Sequence, residues 1–315
     1  MIPIDTPHLE SKPLLRTLVD ELSVIAGVQE APFPIEIHVV PEGSIQSHVH
    51  QLTRNSNYQV ARTQRAVIVP LDNADARRSV ILIDEVDCSS LTRERCHPFN
   101  LVSNLLEELL HARIYCRYWQ QRGDTDPLVG LSRAEYDLRI LTTMAHDEYA
   151  VGRAKAQVIS QLPLIDHPDG PPGQLTTGVI WYQSDVPTQI EQVHAELAKS
   201  LSFTDHQATI HDWDRVTRAL YRKVLEPLSR SHAFRAGNPA DEIAPSHCSP
   251  DPSRMYQEVA QPFWIDFHSL LMESFNSGLQ ELDHTYGILT EISSKLLEAL
   301  IEATQRPLSN HQPPN

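Results

Sequence analysis

The run Ser79-Val-Ile-Leu-Ile-Asp84 constrains this chain more than any other stretch. It is short and almost wholly apolar, which is the signature of a strand covered on both of its faces. Two more segments read as strands. Pro34-Ile-Glu-Ile-His-Val-Val-Pro41 alternates apolar and polar residues, and Ala61 to Leu71 ends in Ala-Val-Ile-Val-Pro-Leu. An amphipathic helix precedes them over residues 11–26. Ser11 is placed to cap it, Pro13 stands in its first turn, Leu14, Leu15, Leu18, Val19, Leu22 and Ile25 recur at helical spacing, and Gly27 ends it.

From about Asn100 the character changes. Residues 100–121 are strongly helical, with Leu101, Leu105, Leu109, Ala112 and Cys116 forming one stripe. A turn at 123–127 follows. A second long helix starts near Ser132, where Glu135 three residues on completes a capping box, and runs to about Gln161. The Pro- and Gly-rich stretch 166–173 reads as a surface loop and a boundary. Further helices are expected over 186–203, 208–230, 253–276 and 279–304, with a loop at 231–252. The outline is an α+β fold, with a small sheet and helices over residues 1–165, a mostly helical region over 174–306 and a disordered tail over 307–315.

Charge and cysteine usage narrow the partners. Against 26 Lys and Arg stand 41 Asp and Glu, giving a net charge of −15 that repels phosphate backbones and anionic lipid. Neither nucleic acid nor a membrane is the expected partner. No apolar run approaches the roughly 20 residues a bilayer span needs, and the start shows no basic or apolar leader pattern. Cys88, Cys96, Cys116 and Cys248 are widely spaced with no CxxC pair, which speaks against a disulfide framework. The expectation is a soluble cytoplasmic protein.

One string carries the chemistry. In Glu107-Glu108-Leu109-Leu110-His111 the first and last residues stand one helical turn apart, so Glu107 and His111 project together with Glu108 beside them. This is the spacing of the HExxH helix, in which the end residues bind metal and the inner glutamate takes a proton from metal-bound water. A glutamate stands where the first histidine would be. Downstream, the next helix carries His146-Asp147-Glu148-Tyr149-Ala150.

Over about residues 35–160 the chain resembles the gluzincin-type metallopeptidases, a branch of the zincin-like fold. The match rests on the preceding apolar strand at 79–84, in the place of the edge strand above the cleft, on the Glu107–His111 string, and on Glu148 in the following helix. The resemblance implies His111 and Glu148 as metal ligands, Glu107 at the missing histidine's place, and Glu108 as general base. It implies a metal-dependent hydrolase acting on a peptide or protein substrate. Replacing a neutral imidazole by an anion makes the metal acidify its water less, and it widens the choice of ion from zinc towards manganese or iron.

Two further readings stand beside it. The carboxylate in the histidine position fits an inactive zincin-like protein kept for binding or regulation. ExxH also recurs at Glu191/His194 and Glu281/His284, which invites a di-metal carboxylate helical bundle. The strands before Leu101 count against that bundle. Remaining residues have ordinary expectations: His48 and His50 exposed in a loop or strand edge, Tyr115, Tyr118 and Trp119 as helix packing, Tyr149 and the Phe263, Trp264 and Phe267 group in the core. His146 is a candidate substitute ligand, but it points about 200° around the helix from Glu148.

Overall fold

A computed structural model describes residues 1–6, 11–56, 60, 65–73, 76–92, 99–123, 128–159 and 261–305. The fold is α+β, with a small sheet and several helices. The described residues divide into two units, one reaching Gly123 and one starting at Leu128. The expected boundary loop at 166–173, the helices at 186–203 and 208–230, and the tail from Pro307 lie outside the described residues.

The first unit is built on a four-stranded sheet in the order β1 (Ile4–Asp5), β2 (Ile35–Val40), β4 (Ala76–Asp84), β3 (Ala66–Asn73). β1, β2 and β4 run parallel, while β3 turns back antiparallel along β4. β4 lies between β2 and β3 with helices α2 (Ile45–Thr53) and α4 (Phe99–Arg122) both packed on it, and its Val80, Ile81, Leu82 and Ile83 are completely buried. That meets the expectation of a doubly covered strand. It also corrects the placing of 79–84 as the edge strand: β4 is internal, between β2 and the antiparallel β3, and the ends of the described sheet are β1 and β3.

Each face of the sheet has its own cover. Val67, Val69 and Leu71 of β3, with Val80 and Leu82 of β4, pack with Val40 and with Ile45 and Val49 of helix α2 (Ile45–Thr53). The alternate residues, Ala66, Ile68, Ile81 and Ile83, point the other way. Packed on β3 and β4 is the long helix α4 (Phe99–Arg122), which also packs against α1 (Lys12–Ala26). The stripe expected on α4 is real, since Leu101, Leu105, Leu109, Ala112 and Cys116 are all buried. Gly27 ends α1 with φ +70°, a left-handed conformation that costs glycine nothing. Ser11 stands at the N-cap of α1, but its hydroxyl makes no cap hydrogen bond.

α2 corrects the reading of His48 and His50, which lie on a helix rather than in a loop or strand edge. Two residues apart on a helix means about 200° around it, so the two rings cannot face one ion. His48 Nδ1 lies 3.0 Å from the Ser44 carbonyl, and His50 contacts Gln46. The helix was hard to see because only Ile45 and Val49 of its turns are buried.

After β4 the chain turns into the short helix α3 (Glu85–Ser89) around Asp84, which is 2% exposed. Its carboxylate accepts from the Val86 amide at 3.0 Å, the Gly43 amide at 3.3 Å and the Arg65 guanidinium at 2.9 Å. Cys88 and Cys116 are free, buried thiols, and burial pushes them up to about 12 and about 11. At pH 8 this leaves thiolate fractions of about 10⁻⁴ and 10⁻³. Both cysteines are therefore expected to be alkylated at least about 100-fold more slowly in the native protein than in the urea-unfolded chain. Peptide mass mapping after timed iodoacetamide treatment checks this.

The second unit packs α5 (Arg133–Ile159), α6 (Gln261–Asn276) and α7 (Leu282–Gln305) against one another. The expected capping box opens α5: the Ser132 amide donates to Glu135 at 2.8 Å, and the Glu135 amide to the Ser132 hydroxyl at 3.3 Å. Ser132→Ala is expected to cost about 1 kcal/mol, read as a lower urea midpoint at unchanged slope. The apolar core includes Leu138, Phe267, Leu271, Tyr286 and Leu289. Polar contacts also join α5 to α7. Arg139 donates to the Asp283 carboxylate at 2.6 Å, and the Thr142 and Thr290 hydroxyls lie 2.9 Å apart.

Candidate metal centre

Helix α4 carries both Glu107 and His111. With Leu101, Leu105 and Leu109 turned to the core, residues 107 and 111 fall about 40° apart on a neighbouring face. Glu107 is half-buried, and His111 retains 8% of its exposure. The imidazole plane is set by stacking along the same helix. It lies 6.3 Å from the Tyr115 ring at 21°, and Tyr115 lies 6.2 Å from Trp119 at 30°. Phe33 closes the row edge-on to Trp119 at 5.3 Å. The aromatic cluster is thus packing, as its spacing predicts, and the packing fixes an imidazole.

Glu108 faces elsewhere. It is 6% exposed, and its Oε2 accepts the backbone amide of Ile68 in β3 at 2.8 Å. Sequence reasoning missed this partner because nothing local links a helix residue to a strand 40 positions earlier.

Glu148 on α5 is half-buried, between two buried neighbours. Asp147 accepts the Tyr286 hydroxyl at 2.9 Å and lies 3.2 Å from His146 Nδ1, while His146 Nε2 lies 2.9 Å from the Ser274 hydroxyl. The imidazole meets the Tyr286 ring edge-on at 5.1 Å. His146 is therefore committed within its own unit, on the far side of the helix from Glu148, as the helical angle requires. Ser274, His146 and Asp147 have the connectivity of a hydroxyl–imidazole–carboxylate relay. With exposures of 4%, 0% and 4%, they sit where no substrate arrives, and they act as a packing network. A buried tyrosine hydroxyl needs a partner; Tyr286, four residues after Leu282 on the inner face of α7, was the sequence signal for it. Tyr149 is wholly buried, as its core reading expects. Its hydroxyl accepts from Arg153 at 2.9 Å, and burial pushes the phenol above its usual range.

The three residues singled out as ligands form one group: a donor atom from each of Glu107, His111 and Glu148 lies within 4.8 Å of the other two. Donors on a single ion at about 2.0–2.2 Å are at most about 4.4 Å apart, close to the spacing of this group. Two carboxylates and one imidazole are a sound donor set for a divalent cation. This group can hold a metal ion. Neither Glu281 nor His284 belongs to it. Glu281 stands before α7 at φ +51°, which breaks the helical spacing of that ExxH pair. Glu191, His194 and Cys248 lie outside the described residues. Among the described residues, no helix is long and apolar enough to cross a membrane.

No family model, no curated protein and no solved structure matches this chain.

Proposed function

We propose that this protein binds one divalent cation through Glu107, His111 and Glu148 and uses it for metal-dependent hydrolysis, with a peptide or protein as substrate. The observation that supports the reading is the approach of the three donor atoms to within 4.8 Å. A bound divalent ion supplies a more acidic water and a Lewis acid for a carbonyl oxygen. The chain's own part is threefold. Glu107 and Glu148 supply the negative charge that holds a dication, His111 is oriented by the Tyr115 stack, and the Glu108 carboxylate takes the proton of the attacking water. With two anionic ligands the preferred ion shifts from zinc towards manganese or iron. The free thiols Cys88 and Cys116 favour a reducing, cytoplasmic setting.

A second reading, metal binding without turnover, is favoured by one specific observation. Glu108 is buried, its Oε2 is engaged by the Ile68 amide, and it is not among the three residues whose donor atoms converge. Quenched-fluorescent peptide libraries separate the two. Protein loaded with Mn²⁺, Fe²⁺ or Zn²⁺ is expected to cleave a subset, chelator to stop it, and Glu108→Gln to lose turnover while keeping the metal. Stoichiometric metal with no cleavage under any of the three ions would leave the second reading.

A further inference from the structure

Each half of the metal group comes from a pair of adjacent acids, Glu107-Glu108 on α4 and Asp147-Glu148 on α5. In both pairs one carboxylate belongs to the metal group, and its neighbour is buried and hydrogen-bonded inside its own unit. Asp147 holds the Tyr286 hydroxyl of α7, and Glu108 holds the Ile68 amide of β3. A helix turns 100° per residue, so adjacent side chains diverge, and fixing one fixes the direction of the next.

The strand side of the Glu108 contact has a specific logic. The Asp84 amide donates to the Arg65 carbonyl at 2.9 Å, and the register pairs Ala66 with Ile83. The residues that exchange bonds with β4 are therefore Arg65, Val67, Val69 and Leu71. Ala66, Ile68 and Pro70 turn their backbone groups to the free edge of the sheet, where a proline loses nothing by having no N–H. Among the described residues no further strand lies beside this edge, and the amide of Ile68 is a donor on it, in a residue only 6% exposed. The Glu108 carboxylate fills the place of that missing strand.

We propose that Glu108 is a positioning residue of the metal site. By accepting the Ile68 amide at the free edge of β3, it sets the rotation of α4 and so the direction of Glu107 and His111. This rests on the metal reading given above, and it holds whether or not the same carboxylate also takes a proton.

The experiment compares Mn²⁺ affinity, by titration calorimetry on the full chain, in wild type, Glu108→Gln and Glu108→Ala. The Ile68 amide is followed by hydrogen exchange in each. The glutamine oxygen can accept the same N–H, whereas alanine cannot. Glu108→Ala is expected to weaken Mn²⁺ binding about 10- to 100-fold, the usual effect of removing a group that orients a ligand, and to deprotect Ile68. Glu108→Gln is expected to keep Ile68 protected and to recover most of the lost affinity. Wild-type affinity in Glu108→Ala, or an equal loss in both variants, would overturn the positioning role. Should Glu108→Ala not fold, Glu108→Gln decides alone, and a loss beyond 100-fold counts against the proposal. A wild-type protein that takes up no Mn²⁺, Fe²⁺ or Zn²⁺ would instead overturn the metal reading itself, a result distinct from the other two.

Discussion

Replacing His111 with alanine is expected to abolish stoichiometric metal binding. Imidazole is the only nitrogen donor in the group, and the two carboxylates that remain come from different helices. Without it the site is two carboxylates, which hold Mn²⁺ or Zn²⁺ only weakly. Loss of a direct ligand should exceed the 10- to 100-fold effect of disturbing an outer-shell partner, so a fall of more than about 100-fold is expected. The fold should survive. His111 lies beside the core stripe of α4 rather than on it, and alanine is the best helix former. Metal content of protein purified without chelator is the measurement, by plasma mass spectrometry on wild type and His111→Ala. Equal and negligible content in both would remove the metal centre. Metal binding should also weaken as pH falls, because the ligands bind in their deprotonated forms and metal and proton compete.

The second large effect concerns the packing network of the other unit. Asp147→Ala should destabilise that unit by about 3–5 kcal/mol. The substitution strands two buried groups at once, the Tyr286 hydroxyl and His146 Nδ1, since both use the same carboxylate oxygen. Asp147→Asn keeps an acceptor for the Tyr286 hydroxyl and should cost less than half as much. Tyr286→Phe removes the donor together with its need and should be milder still, because an unmade bond costs far more than a removed pair. Urea unfolding of the three variants, followed by helical circular dichroism, gives the ranking. Equal midpoints for Asp147→Ala and Asp147→Asn would show that the carboxylate is not what holds α5, α6 and α7 in register.

Much of this architecture was legible residue by residue. The wholly apolar Val80 to Ile83 run could only be a doubly covered strand, and it is one. The helical stripe of α4, the glycine that ends α1 and the Ser132–Glu135 box are local devices whose partners lie within one or two turns of chain. Such features follow from sequence because the interactions that make them are short in sequence as well as in space.

What sequence alone determined is therefore the strands β2 and β4, the helices α1, α4 and α5 with their buried faces, and the helical turn that points Glu107 and His111 the same way, while β1, α2 and α3 carried no such signal. Three things were decided only by the tertiary structure. The chain places β3, not β4, at an end of the described sheet, it turns Glu108 onto the Ile68 amide, and it commits His146 to Ser274 and Asp147. The physical reason is common to all three. Each depends on which backbone or side-chain donor lies opposite after the chain has returned from dozens of residues away. A helical repeat or a strand alternation says which way a side chain points, but not what it meets there.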